Sequence, residues 1–220
     1  MLHLILADAE LELVPEELWN HPSVINVAQR RGKKPRNILL DSTFHHSAIR
    51  EHFKGEENRR GRPDIAHYFL LNSLESPLNL KNDLRVYVHT RNNEVIFIRP
   101  ETRIPKSYNR FVGLIEELFH NGYVPSKKDP LLWIEKLNIK DLLRKIGEEN
   151  VLVLCSKGEK KRIYEILEKD QVVIIGGFPS GTFMSDIKNF KKTSIFDGDL
   201  TAWVTAYEVI ANYEFKFSIL

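Results

Sequence analysis

The order of apolar runs and amphipathic stretches after residue 150 constrains this chain more than any other feature. "NVLVLCS" reads as a strand, "EKKRIYEILEK" as a helix, "QVVIIGG" and "TSIF" as strands, and "LTAWVTAYEVIANY" as a helix before the closing "EFKFSIL". Strands that alternate with helices argue for an α/β fold with a largely parallel sheet flanked by helices, because parallel neighbours need a crossover between them. Upstream, "LHLILA" and "NILLD" are short apolar runs that suit buried strands. Asp41 or Ser42 can cap a helix through "TFHHSAIREHF", and Pro63 suits the first position of the next, where a missing N–H costs nothing. "LRVYVHT" and "VIFIRP" flank "RNNE" as a β-hairpin, "RFVGLIEELFHNG" is a helix stopped by Gly122, and a further helical stretch follows "VPSKKDP". The hairpin region reads as an α/β lobe, roughly 42–110, inserted into a single domain that spans 1–220.

A chain of 220 residues with 42% hydrophobic content can bury a sizeable core, so disorder is not the expectation. It holds no apolar run near the length of a membrane span and begins without a basic leader, so a cytoplasmic protein with no membrane association is expected. Cys155 is the sole cysteine and excludes an intrachain disulfide. The net charge is only +2, yet five Lys or Arg crowd residues 30–36, "RRGR" follows at 59–62, and Arg91, Arg99, Arg103, Lys106 and Arg110 come next. That asymmetry fits one surface that faces nucleic acid, and equally a solvated face.

Three strand ends carry loop-forming residues: "LCSKG", "IIGGFPSG" and "SIFDGD". Ligands of α/β sheets bind outside the carboxyl ends of strands, and Gly176 with Gly177 would let a ligand approach the backbone closely. The spacing is neither G-x-G-x-x-G nor a P-loop, so dinucleotides and nucleoside triphosphates lose support, and a plain strand-to-loop turn would read the same. In "RPETRIPKSYNRF", Pro100 and Pro105 forbid a continuous helix, which leaves an extended strap of cations around Tyr108. Such a strap suits phosphates and an unstacked base, and the alternative is a solvated loop. Asp64 in "RGRPDIAH" stands in a first helical turn, where the macrodipole alone would favour it. His67 reads as a partly buried histidine, and His45 and His46 would point about 100° apart on a helix, so no metal site is expected. Cys155 reads as a small buried hydrophobe rather than a nucleophile.

"NILLDSTFHH", "GRPDIAHYFLLNSLESPLN", "VYVHT", "RPETRIPKSYNRFVGLIEELF" and "GGFPSG" together resemble the Nep-type pseudouridine N1-specific ribosomal RNA methyltransferases of the SPOUT class, in motif order and over nearly the whole chain. The size suggests an archaeal-type member. The resemblance implies a SPOUT fold whose cofactor region, roughly 150–220, is threaded into a trefoil knot, with S-adenosylmethionine (S-adenosyl-L-methionine) bound there and a homodimer around it. It assigns cofactor binding to Leu154, Gly176, Gly181 and the stretch Thr193, Ser194, Ile195, Phe196, Asp197 and Gly198. It assigns small-subunit ribosomal RNA to Arg62, Arg103, Lys106 and Arg110. Lys106 stands where some members have arginine, which keeps the charge and loses the bidentate grip.

The resemblance gives Asp64 the task of steadying Arg62. Asp64 is also the candidate general base, although a carboxylate paired to an arginine is a weak base. Methylation of pseudouridine N1 with a role in small-subunit biogenesis is therefore the expected activity. The rivals are an RNA-binding assembly factor without catalysis and a nucleotide-binding regulatory domain that uses the same strand ends.

Overall fold

Leu2–Ala9 forms β1, and every one of its eight residues is buried. Unbroken burial marks a central strand covered on both faces. In the computed structural model, which describes residues 1–147 and 150–219, the elements that follow are α1 (Pro22–Arg30), α2 (Ser42–His52), α3 (Pro63–Leu74), α4 (Pro77–Leu80), β2 (Leu84–Thr90), β3 (Glu94–Ile98), α5 (Tyr108–Asn121), β4 (Tyr123–Val124) and β5 (Leu132–Lys136). The second half holds α6 (Ile139–Ile146), β6 (Val151–Lys160), α7 (Ile163–Ile166), β7 (Gln171–Gly176), β8 (Lys191–Ser194) and α8 (Ala202–Lys216).

The strands form one sheet in the order β4-β5-β3-β2-β1-β7-β6-β8. The run from β2 to β8 is parallel, and β2-β3, β3-β5 and β5-β4 are antiparallel. Alternation along β1 sends Leu2, Leu4 and Leu6 into a core with Phe69, Phe111 and Val209, and sends Ile5 and Ala7 into a second core with Leu142, Val153 and Ile174. The hairpin β2-β3 pairs into the main sheet. β2 is held there by parallel pairing with β1 from Leu2↔Leu84 onward. The separate small core lies earlier, where Val14, Leu18, Val24, Ile38, Leu40 and Ile49 close on one another.

Three expected elements differ. "NILLD" makes only an isolated bridge, Leu13↔Leu39, because its side chains are divided between two cores and its backbone is used up by Glu12 and Val14. The stretch after "VPSKKDP" first adds the strand β5, whose Trp133 stacks on Phe97 with centroids 5.2 Å apart, and becomes helical only at Ile139. "EKKRIYEILEK" is helical only over Ile163–Ile166. β6 claims the residues before it, since Glu159 and Lys160 pair with Thr193 and Ser194 of β8 after a register shift. The expected caps are present: Asp41 accepts from the Thr43 N–H, Pro63 opens α3, and Gly122 ends α5 in the left-handed region.

Candidate functional site

The three parallel strands β6, β7 and β8 reach Leu154, Gly176 and Ser194 on the same side of the sheet, and the segments beyond them enclose a cavity of about 770 Å³. Its wall includes Leu154, Gly176, Gly181, Thr193, Ser194, Ile195, Phe196 and Gly198. All three strand ends singled out in the sequence therefore meet. Asp197 is the exception: it lies outside the lining, and its exposed carboxylate pairs with Lys160, where water and a cation solvate the charge. Two glycines are required by shape. Gly181 has φ of +94°, and a Cβ on Gly177 would fall 2.7 Å from Ala9 Cα, so the segment runs flush against the end of β1.

Asp8, which the sequence motifs leave unmarked, clamps this segment from β1. Its backbone takes the left-handed φ of 53°, and its buried carboxylate accepts from the Met184 N–H at 2.7 Å, the Ser185 N–H at 3.0 Å and Ser185 Oγ at 2.5 Å. His89 backs it, accepting the Asp8 N–H at Nδ1, and burial holds that imidazole pKa below its usual value.

On the other side of β1, "RRGRPD" divides into buried and outward-facing charges. Arg60 pairs with Glu12 at 2.6 Å and lies 3.7 Å over the Phe53 ring. Arg62 is half-buried and meets Asp64 through two hydrogen bonds, which hold the guanidinium pKa above its usual value. The strap follows α3 closely. His67, stacked on Phe111 at 4.4 Å, donates from Nε2 to the Pro105 carbonyl at 2.8 Å, and the Asn79 amide donates to the Pro100 carbonyl at 2.7 Å. Within the strap Thr102 and Ile104 are buried while Arg103 and Lys106 are exposed, as an extended segment with one anchored face requires. Lys106 comes within 3.4 Å of Glu75; Arg103 and Arg110 make no ion pair among the described residues. Arg31 and Lys33 from the basic run at 30–36 are tied to the buried Glu116 at 2.5 and 2.6 Å.

Glu10 joins the two regions, although it belongs to none of the motifs singled out in the sequence. Its N–H donates to the Gly177 carbonyl at 3.1 Å and its carbonyl accepts the Arg62 N–H at 2.9 Å. Its fully buried carboxylate receives Arg59 Nε at 2.5 Å and Arg91 Nη1 at 2.6 Å. Arg59 then donates to the Thr182 carbonyl at 2.6 Å and lies 4.1 Å over the Phe178 ring. A readable signal did exist: in "ADAELEL" three acids alternate with apolar residues, which places buried carboxylates in need of the arginines of "RRGR".

A glycine-shaped cavity at the ends of parallel strands, beside an arginine-bearing face, is the layout of an α/β ligand-binding protein. The fold is similar to the crystal structure of Archaeoglobus fulgidus Nep1 bound to S-adenosylhomocysteine, with a TM-score of 0.88, 37% sequence identity and 98% of each chain covered. This is a SPOUT-class methyltransferase fold. The chain belongs to the EMG1/NEP1 methyltransferase family, whose model matches residues 4–214. It is 49% identical over 219 residues to the ribosomal RNA small subunit methyltransferase Nep1 of Thermococcus onnurineus, covering 97% of this chain and 98% of the relative. The protein of the same name from Thermococcus sibiricus is 51% identical over 221 residues, with the same coverage. That from Thermoplasma acidophilum is 44% identical over 216 residues and covers 97% of each chain.

Proposed function

We propose that this protein transfers a methyl group from S-adenosylmethionine to N1 of a pseudouridine in small-subunit ribosomal RNA, as a step in small-subunit biogenesis. The observation that carries the reading is the junction at Glu10, which ties the cavity segment to the arginine-bearing segment by backbone and side chain at once.

The cavity fits the cofactor on its own chemistry. Its wall places apolar Leu154, Ile175 and Ile195 beside exposed backbone at Gly176 and Gly181. Thr193 Oγ1, also in that wall, is buried and has no partner among the described residues. An orphaned hydroxyl beside an apolar ledge suits a nucleoside that offers both a ring and acceptors. Leu154, Gly176, Gly181, Thr193, Ser194, Ile195, Phe196 and Gly198 would hold it. The bound sulfonium supplies an electrophilic methyl group, and alignment of the acceptor nitrogen behind it carries much of the rate.

The chain's own residues do the alignment. Arg62, Arg103, Lys106 and Arg110 grip the RNA backbone, and the target base leaves its stack to reach the cavity. Both Asp64 oxygens are taken up by Arg62, which supports a positioning role for Asp64 and leaves the N1 proton to solvent or to the RNA. Because β6 lies between β7 and β8, the chain after β7 must cross β6 to reach β8, which supports the knotted threading. Exposed Met184, Phe196, Val204 and Tyr207 support a homodimer around the cavity.

Mass spectrometry of an rRNA hairpin that contains pseudouridine, incubated with protein and S-adenosylmethionine, should show one added methyl group, absent from the uridine hairpin. Tight hairpin binding without methylation would instead favour a binding-only assembly factor.

A further inference from the structure

A second cavity, of about 290 Å³, opens beside the basic strap, between α1, α2 and α5. Arg30, Asp41, Phe44, His45, Tyr108 and Asn109 stand in its wall. His45 is 1% exposed. Its Nδ1 accepts the Asp41 N–H at 3.0 Å, so Nδ1 carries no hydrogen and the neutral ring bears its N–H at Nε2. Burial keeps it neutral, with the pKa pushed down to about 4. Nε2 is buried on the opposite ring edge and has no partner among the described residues. A donor buried without an acceptor gives up its hydration for nothing in return, which marks a place where an acceptor is missing.

No group among the described residues supplies that acceptor. Both Asp41 oxygens are engaged, Oδ1 by the Thr43 N–H at 2.8 Å and Oδ2 by the Tyr108 hydroxyl at 2.5 Å. At the rim, Phe44 is 55% exposed and offers an aromatic face, and Arg30 is an exposed cation. A water takes roughly 30 Å³, so the space has room for a ring rather than one solvent molecule. The wall is also continuous with the proposed RNA face: Tyr108 and Asn109 lie between Lys106 and Arg110, and Asp41 and Tyr108 act electrostatically on Arg62. A planar, neutral occupant that offers a carbonyl acceptor and hangs from a phosphate chain would satisfy these groups together.

We infer that this cavity receives a second unstacked nucleobase of the RNA loop, a pyrimidine whose carbonyl oxygen accepts from His45 Nε2–H while Phe44 covers its face. The inference rests on the proposed RNA substrate. It makes the protein read two extruded bases, one for chemistry and one for register along the loop.

The test is a set of hairpins, each lacking one loop base other than the pseudouridine, bound to wild type, Phe44→Ala and His45→Leu, with thermal unfolding at pH 7 as the control for folding. In the wild type, one abasic position should weaken binding roughly tenfold, the usual worth of one stacked base. In Phe44→Ala and His45→Leu the intact hairpin should bind that much more weakly, and removal of the same base should cost nothing further. Methylation at saturating RNA should persist in Phe44→Ala. Phe44 is exposed, so this variant tests the site even if His45→Leu fails to fold. An abasic penalty that is the same in wild type and Phe44→Ala, or no loss of affinity in Phe44→Ala, would overturn the inference and leave the cavity to a protein partner. Failure of wild type to bind any hairpin would overturn the RNA reading and this inference with it.

Discussion

Arg62 and Asp64 face each other across a single proline, with Nε to Oδ1 at 2.8 Å and Nη2 to Oδ2 at 2.7 Å. Each side chain is 32% exposed, so the pair adds little to folding. What it does is hold the guanidinium in one geometry, which on the proposed function is the one that meets RNA. Asp64→Asn should therefore weaken hairpin binding by roughly threefold to tenfold, the cost of immobilising one rotamer-rich side chain, with almost no change in melting temperature. Fluorescence anisotropy with the labelled hairpin measures it. Unchanged binding with lost turnover would place Asp64 in the chemistry instead.

Arg103 is an exposed cation on the anchored strap, and Arg110 is one on the first turn of α5, so the cations expected along one extended segment are divided between strap and helix. Replacing either by Ala should leave stability unaltered and weaken binding of every hairpin sequence alike. The slope of log Kd against log salt should shrink by roughly 0.7 for each phosphate of single-stranded RNA that goes unneutralised. Titrations at several salt concentrations would show this, and a slope that does not move would remove these residues from the phosphate-binding set.

Arg59→Gln removes a guanidinium from the buried Glu10 and frees the Thr182 carbonyl. Arg91 still holds Glu10, so the loss should be at the lower end of the range for a broken buried pair, about 3 kcal/mol. Affinity for S-adenosylhomocysteine should fall with it, because the segment at Gly181 loses its brace. Urea unfolding and calorimetric titration read the two effects separately. Weaker folding with unchanged cofactor affinity would confine Arg59 to the scaffold.

Burial pushes the pKa values of His45 and His3 from the ordinary 6.5 down to about 4. Between those values the unfolded chain binds more protons than the folded one, so stability rises with pH across this window and is lost as pH falls below 6.5. Each histidine can contribute up to ~3 kcal/mol by pH 4. His45→Leu should flatten its share of the slope in urea unfolding at pH 4 to 7. An unchanged slope would mean that His45 is accessible to protons in the folded state.

The alternation of strands and helices, the glycine ends and the basic strap are legible in the sequence because each depends on neighbours along the chain. Asp41, Pro63 and Gly122 can be placed at helix ends for the same reason: a cap is a local interaction. β5 escapes such a reading because "LWIEK" owes its strand state to Phe97 and Ile98 on β3, more than thirty residues upstream by chain position. The extent of β6 escapes it because charged residues at its end read as a helix until β8 offers them a pairing edge. Asp8 and Glu10 matter through partners far along the chain, and a sequence read locally cannot supply those.

The clamp from Asp8 to Met184 and Ser185 spans 176 and 177 positions of the chain. During synthesis, β1 must wait for a loop 176 positions further on before its acid finds a partner. Until then β1 has β2 on one side and an open edge on the other, where β7 will pair. Pairings this distant close late and slowly. The cavity of this methyltransferase is thus completed only when residues 176 and 177 positions beyond Asp8 have been made.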